Sequence, residues 1–81
     1  MAMYRKKPVV IEAVQFTGNN KEEIGHFAGF AAQIVGREGR LEIKALEGIM
    51  VAGPGDYIIK GVKGEFYPIK NDIFLETYEP A

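Results

Sequence analysis

Apolar and polar positions change rhythm several times along these 81 residues, and each rhythm predicts an element. Val9-Val-Ile-Glu-Ala-Val-Gln-Phe16 is rich in β-branched and aromatic residues, follows Pro8 and stops at Thr17-Gly-Asn-Asn20, which predicts a strand bounded by turn residues. Its apolar side chains alternate onto both faces, so a covered strand is expected, with Glu12 directed to an edge or a partner. Lys21-Glu-Glu-Ile-Gly-His-Phe-Ala28 places Ile24, Phe27 and Ala28 on one helical face. Asn20 with Glu23 three residues on gives a capping-box start, and Gly29 a stop.

From Ala32 onward, glycines divide short apolar segments at hairpin spacing, the signature of a β-meander. Arg40-Leu-Glu-Ile-Lys-Ala-Leu46 alternates polar with apolar, with Leu41, Ile43 and Ala45 on one face and Glu42 and Lys44 on the other. Glu47-Gly48 turns the chain into Ile49-Met-Val-Ala52. Pro54-Gly55 supplies the two central residues of a type II turn, Pro fixing φ and Gly accepting positive φ, and delivers Asp56-Tyr-Ile-Ile-Lys60 as a strand. Gly61-Val-Lys-Gly64 is the next tight turn. Glu65-Phe-Tyr-Pro-Ile-Lys70 follows as a strand whose Pro68 cannot donate to a ladder and so belongs at an edge or a bulge. The last segment, Asn71 to Glu79, reads as one helical turn capped by Asn71 or Asp72 and ended by Pro80, with Ile73, Phe74 and Tyr78 packing back on the sheet. The expected fold is a single α+β domain over residues 1–81: an antiparallel meander of about five to six strands, one short helix and a C-terminal helical turn.

Composition narrows the chemistry. Ten basic and 11 acidic residues leave a formal charge of -1, which gives no global pull toward nucleic acid or anionic membrane. No run approaches the roughly 20 apolar residues of a membrane span. Met1 to Pro8 is charged like the first region of a secretion signal, but the apolar run behind it breaks at Glu12 and lacks a small-residue cleavage site, so a cytoplasmic location is expected. The sequence has neither Cys nor Ser, which removes disulfides, thiolate zinc sites and the common nucleophiles. Thr17, Thr77, four Tyr and the lone His26 are what remain, and no cofactor or metal is expected. His26 has only unplaced carboxylates for company and reads as a helix-surface or half-buried residue. An 81-residue core gains little beyond its entropic cost, so some of the nine aromatic side chains are candidates for a subunit interface in a homo-oligomer, although most of the Phe side chains suffice to make the core.

Two glycine motifs have an ordinary structural meaning. Gly61-Val-Lys-Gly64 matches the GXXG loop with which KH domains clamp a nucleic-acid backbone, but that loop joins two helices, whereas here the flanks are strand-like and a hairpin turn accounts for it. Gly53-Pro-Gly55 lacks the remaining residues of a dinucleotide or phosphate loop. Arg5-Lys6-Lys7 reads as a solvated entry to the first strand. The cluster with most chemistry is Tyr57, Lys60, Lys63, Glu65, Tyr67 and Lys70, where adjacent strands would gather cations and stacking rings around one hairpin, as a nucleotide-like anion requires. An ordinary amphipathic hairpin explains the same residues.

The opening Tyr4-Arg-Lys-Lys-Pro-Val-Val-Ile-Glu-Ala-Val-Gln-Phe-Thr-Gly18, Leu41-Glu-Ile-Lys44, and the run from Pro54 through Gly-Asp-Tyr-Ile-Ile-Lys-Gly-Val-Lys-Gly-Glu-Phe-Tyr-Pro68 to Phe74 resemble a family of small proteins of tailed phages and prophages. Where relatives often carry Pro, this chain has Asn71, which bears on how the last segment starts. The resemblance implies origin and setting, the cytoplasm of an infected bacterium, and brings no catalytic motif. With it, the residues point to a non-enzymatic binding protein, its expected role counter-defence by binding a host protein or by sequestering an anionic small molecule such as a nucleotide signal. The alternatives are a structural or assembly-related accessory protein, and an enzyme using carboxylate and Tyr chemistry around Asp56, Glu65 and Tyr67.

Overall fold

A computed structural model describes residues 1–5 and 7–81; Lys6, the centre of the basic run, lies outside the described residues. The elements in chain order are β1 (Glu12–Gln15), α1 (Lys21–Ala28), a 3₁₀ turn (Gly29–Ala31), β2 (Ala32–Val35), β3 (Arg40–Ala45), β4 (Gly48–Ala52), β5 (Tyr57–Lys60), β6 (Phe66–Ile69) and α2 (Asn71–Thr77). The architecture is the expected α+β, but the strands divide into two antiparallel sheets, one ordered β1-β5-β6 and one ordered β2-β3-β4.

The meander is β2-β3-β4, in which Leu41 stands opposite Ile34 and Ala52, and Ile43 opposite Ala32 and Met50. In the other sheet β5 is central, with Val14 and Pro68 opposite Ile58, and Ala13 and Tyr67 opposite Ile59. Pro68 therefore sits on an edge strand, where its missing N–H interrupts no interior ladder. The two sheets and α1 close around Phe16, Ile24, Leu41, Ile43, Ala52 and Ile58, with Val14, Phe27, Ala32 and Phe66 packed against them. Each fully buried isoleucine contributes about 1.5–3 kcal/mol. Phe27 meets Phe66 edge to face at 5.6 Å, tying α1 to β6.

The turns follow their residues. Asp56 N–H donates to the Gly53 carbonyl at 3.0 Å around Pro54 and Gly55, and Gly55 has φ 96°, the type II turn expected from the sequence. Gly61-Val-Lys-Gly64 closes the β5–β6 hairpin: Gly64 N–H donates to the Gly61 carbonyl at 3.0 Å, and Gly61 N–H to the Glu65 carbonyl at 2.8 Å. α1 spans the expected residues and Gly29, at φ 58°, ends it. Its start is built differently from a capping box. The Asn20 side chain donates to Glu23 Oε1 (2.8 Å) and to the Gln15 carbonyl (2.7 Å) and accepts from Thr17 N–H (2.8 Å), which locks the β1–α1 corner instead of capping the helix amides.

The structure departs from expectation at three further points. Val9 and Val10 lie outside β1 and are exposed, because β5 is only four residues long and offers β1 no partner before Glu12. α2 runs for seven residues, with Lys70 at the N-cap position and neither Asn71 nor Asp72 capping by side chain; it ends at Thr77, before Pro80. Phe74 packs inward, but Ile73, its neighbour on the helix, is exposed.

Candidate functional site

Strand alternation decides where the six hairpin residues go. Tyr57 and Tyr67 share the outer face of the β1-β5-β6 sheet with Ala13, Gln15, Ile59 and Ile69. Lys60 is one residue out of phase and belongs to the opposite face, with Val14, Ile58 and Phe66. Lys63 lies in the turn, where its N–H donates to Glu65 Oε1 at 3.1 Å. The Glu65 carboxylate thus closes over Gly61, whose missing side chain makes the room: a Cβ there would collide with that carboxylate. Lys70 stands at the other end of the hairpin, its Nζ 3.3 Å from Asp56 Oδ2. The cations are therefore distributed over two faces and two ends, and the cluster does not converge on one ligand position.

The rings are engaged as well. Tyr57 stacks on Phe74 with centroids 3.8 Å apart and planes 9° from parallel, and Phe74 contacts Tyr78 at 5.2 Å. Burial, the hydroxyl bond shared with Tyr78 and the neighbouring Tyr78 and Glu65 charges push Tyr67 up to about 12. Asp56, buried at the start of β5, accepts from Gly53 N–H at 2.9 Å as well as from Lys70. It holds the turn and the start of α2 to each other. His26 is exposed on α1, and among the described residues no group of three or more His, Asp or Glu could hold a metal ion. No helix among the described residues is long and apolar enough to cross a membrane.

The surface feature that residue chemistry alone did not single out is apolar. The two-residue turn of the β3–β4 hairpin lifts Leu46 to 82% exposure, and Ile49 and Val51 on the outer face of β4 are 62% and 52% exposed. They flank charged β3 positions, Lys44 opposite Ile49 and Glu42 opposite Val51. Glu42 is paired with Arg40 at 3.0 Å, and Lys44 has no ion pair among the described residues. The signal was present in the sequence as Ile49-Met-Val-Ala52, four consecutive apolar residues in a strand whose neighbour alternates; in an edge strand such a run must expose part of itself.

Several clefts border these features. One, of about 370 Å³, lies on the outer face of the β1-β5-β6 sheet between residues 9–11, Tyr57 and the α2 side chains Phe74 and Leu75. Two others, about 290 and 340 Å³, flank the line where β6 runs against β3 and β4, with Met50 in both; Tyr67 lines the first and Lys70 the second. Comparison of the chain with protein-family models, with curated proteins and with solved structures finds no match.

Proposed function

We propose that this is a small non-enzymatic binding protein, phage-encoded and acting in the infected bacterium, that docks its β3–β4 hairpin on a host protein. The setting rests on the resemblance of the opening and closing segments to phage proteins. The observation that carries the docking is the row Leu46, Ile49 and Val51, held in water by a hairpin whose other face is anchored through buried Leu41, Ile43 and Ala52. Covering each exposed side chain is worth up to about 1.5–3 kcal/mol. Lys44 beside Ile49 gives the partner its chemistry: an apolar ridge bordered by a carboxylate.

The non-enzymatic reading is supported by the structural duties of the reactive groups. Asp56 holds a turn and Lys70, Glu65 closes the hairpin, and the Tyr67 hydroxyl is shared with Tyr78. A host protein is favoured over a nucleotide signal because Lys60 faces away from Tyr57 and Tyr67, and one face of Tyr57 is already stacked.

The test is native mass spectrometry of untagged protein from infected cells, followed by calorimetry on the recovered partner. A protein-sized added mass is expected. Ile49→Asp with Val51→Asp should weaken that partner at least about tenfold, while Lys60→Ala with Lys63→Ala leaves it unchanged and both variants keep the wild-type circular dichroism. The proposal is overturned by a partner indifferent to the apolar variant, by a chain without added mass, or by a nucleotide-sized mass lost on Tyr57→Ala or Lys60→Ala.

A further inference from the structure

The chain exposes far more surface than its mass requires. A compact monomer of 9.0 kDa presents about 4,850 Å², whereas this one presents 6440 Å². Its radius of gyration is 13.6 Å and its extents 49 × 24 × 21 Å, against about 11.7 Å for the radius of a compact chain of this length. The excess area, about 1,600 Å², is twice the roughly 800 Å² that each partner buries in a standard stable interface.

One exposed segment contributes to that excess. Residues 1–5 and 7–11 belong to no helix or strand, and Met1, Met3 and Tyr4 are essentially fully exposed, with Val10 at 79%. Met and Tyr are the side chains that interfaces favour, Met for its adaptable shape and Tyr for its rigid area. The root of this arm, Val9 to Ile11, forms one wall of the 370 Å³ cleft whose other walls are Tyr57, Phe74 and Leu75. The cleft is predominantly apolar, and Glu79 stands in its lining, opposite in charge to Arg5 behind the arm's apolar tip.

We propose that two copies of this chain pair by exchanging these arms, with Met3 and Tyr4 of one copy seated between Tyr57, Phe74 and Leu75 of the other. Because the cleft lies at the arm's own root, a two-fold axis there sets the two roots side by side and brings each tip to the partner's cleft. The four residues between Tyr4 and Val9 can span at most about 13 Å, which sets the longest crossing available to the arm. The contact also covers Val10 and Leu75. It uses a different surface from the β3–β4 hairpin, so either proposal can fail while the other stands.

Light scattering on the full chain tests the pairing, and cysteine cross-linking tests the exchange. The expected mass is twice 9.0 kDa, and Met3→Asp with Tyr4→Asp, both on exposed side chains, should return it to that of one chain with unchanged circular dichroism. Since the natural sequence contains no Cys, Met3→Cys with Leu75→Cys gives a clean readout: mild oxidation should yield covalent dimers on a non-reducing gel. A single-chain mass at about 100 μM, where a micromolar association would be complete, overturns the pairing. A dimer that survives the Asp variants, or a disulfide closed within one chain, overturns the exchange.

Discussion

Ile58 and Ile59 are neighbours on β5, chemically identical and both 0% exposed, yet they point into different surroundings. Ile58 enters the core between the two sheets, where Phe16, Leu41, Ile43 and Ala52 belong to strands or to the β1 corner. Ile59 faces the other way, onto the side that carries Tyr57, stacked on Phe74 of the seven-residue α2, and the cleft walled by residues 9–11. Equal burial is reached by unequal means: one side is closed by hydrogen-bonded sheet, the other by short pieces of chain beside an open cleft. The side closed by sheet makes the fold, and the loosely closed side keeps an open cleft at its surface.

The largest expected effect would break this comparison if it failed. Ile58→Ala should cost about 4 kcal/mol, near the top of the range for such truncations, because flanking strands cannot move in to fill the cavity. Ile59→Ala should cost about 2 kcal/mol, since α2 and residues 9–11 can settle onto the smaller side chain. Urea unfolding of both variants measures the difference. Equal losses would mean that the two sides are equally rigid.

How far the sequence revealed this division depends on which signals are local. Pro54-Gly55, Gly61-Val-Lys-Gly64 and α1 were legible because a turn or a short amphipathic helix is specified within a few residues. Pro68 on an edge strand was legible for the same reason. The split into two sheets was not, because it depends on β1 pairing with β5 across more than 40 residues, skipping the meander between them. Lys60 was grouped with Tyr57 and Tyr67 by nearness in sequence, although period-two alternation already sets an even step between same-face residues on one strand. The β4 row is harder to read from sequence, because an unbroken apolar run shows that some side chains must be exposed but not which ones; the register places Ile49 and Val51 on the side facing away from the core.

An intermediate effect separates a buried group from its exposed partner at the border of the two sides. Asp56→Ala removes the acceptor of Gly53 N–H and strands that turn, and should cost about 2 kcal/mol, as hydrogen bonds to charged groups do. Lys70→Ala breaks the same ion pair from its solvent end and should cost less than about 1 kcal/mol, since the Lys70 side chain is 68% exposed and its charge is well solvated either way. Denaturation midpoints of the two variants decide between these roles. If the lysine variant proved as costly as the aspartate variant, the ion pair and not the turn would be what fastens α2 to β5.

The smallest effect reads the open side alone. Tyr67 is held protonated up to about 12 by burial, by its bond with Tyr78 and by the negative charge that Tyr78 and Glu65 place beside it. In the unfolded chain the same phenol ionises near about 10. Between those values the unfolded state releases a proton that the folded state keeps, so stability from this group is complete below about pH 10 and falls as pH rises toward 12. The stability difference between wild type and Tyr67→Phe should therefore shrink across that interval, and the tyrosinate absorbance that the substitution removes should have its midpoint near about 12. A difference that stayed constant from pH 9 to 12 would mean that α2 lifts away and lets water reach the phenol before it ionises. The outer layer would then open as a unit while the sheet-closed core stayed shut, and the cleft beside Phe74 would be wider in solution than its static walls imply.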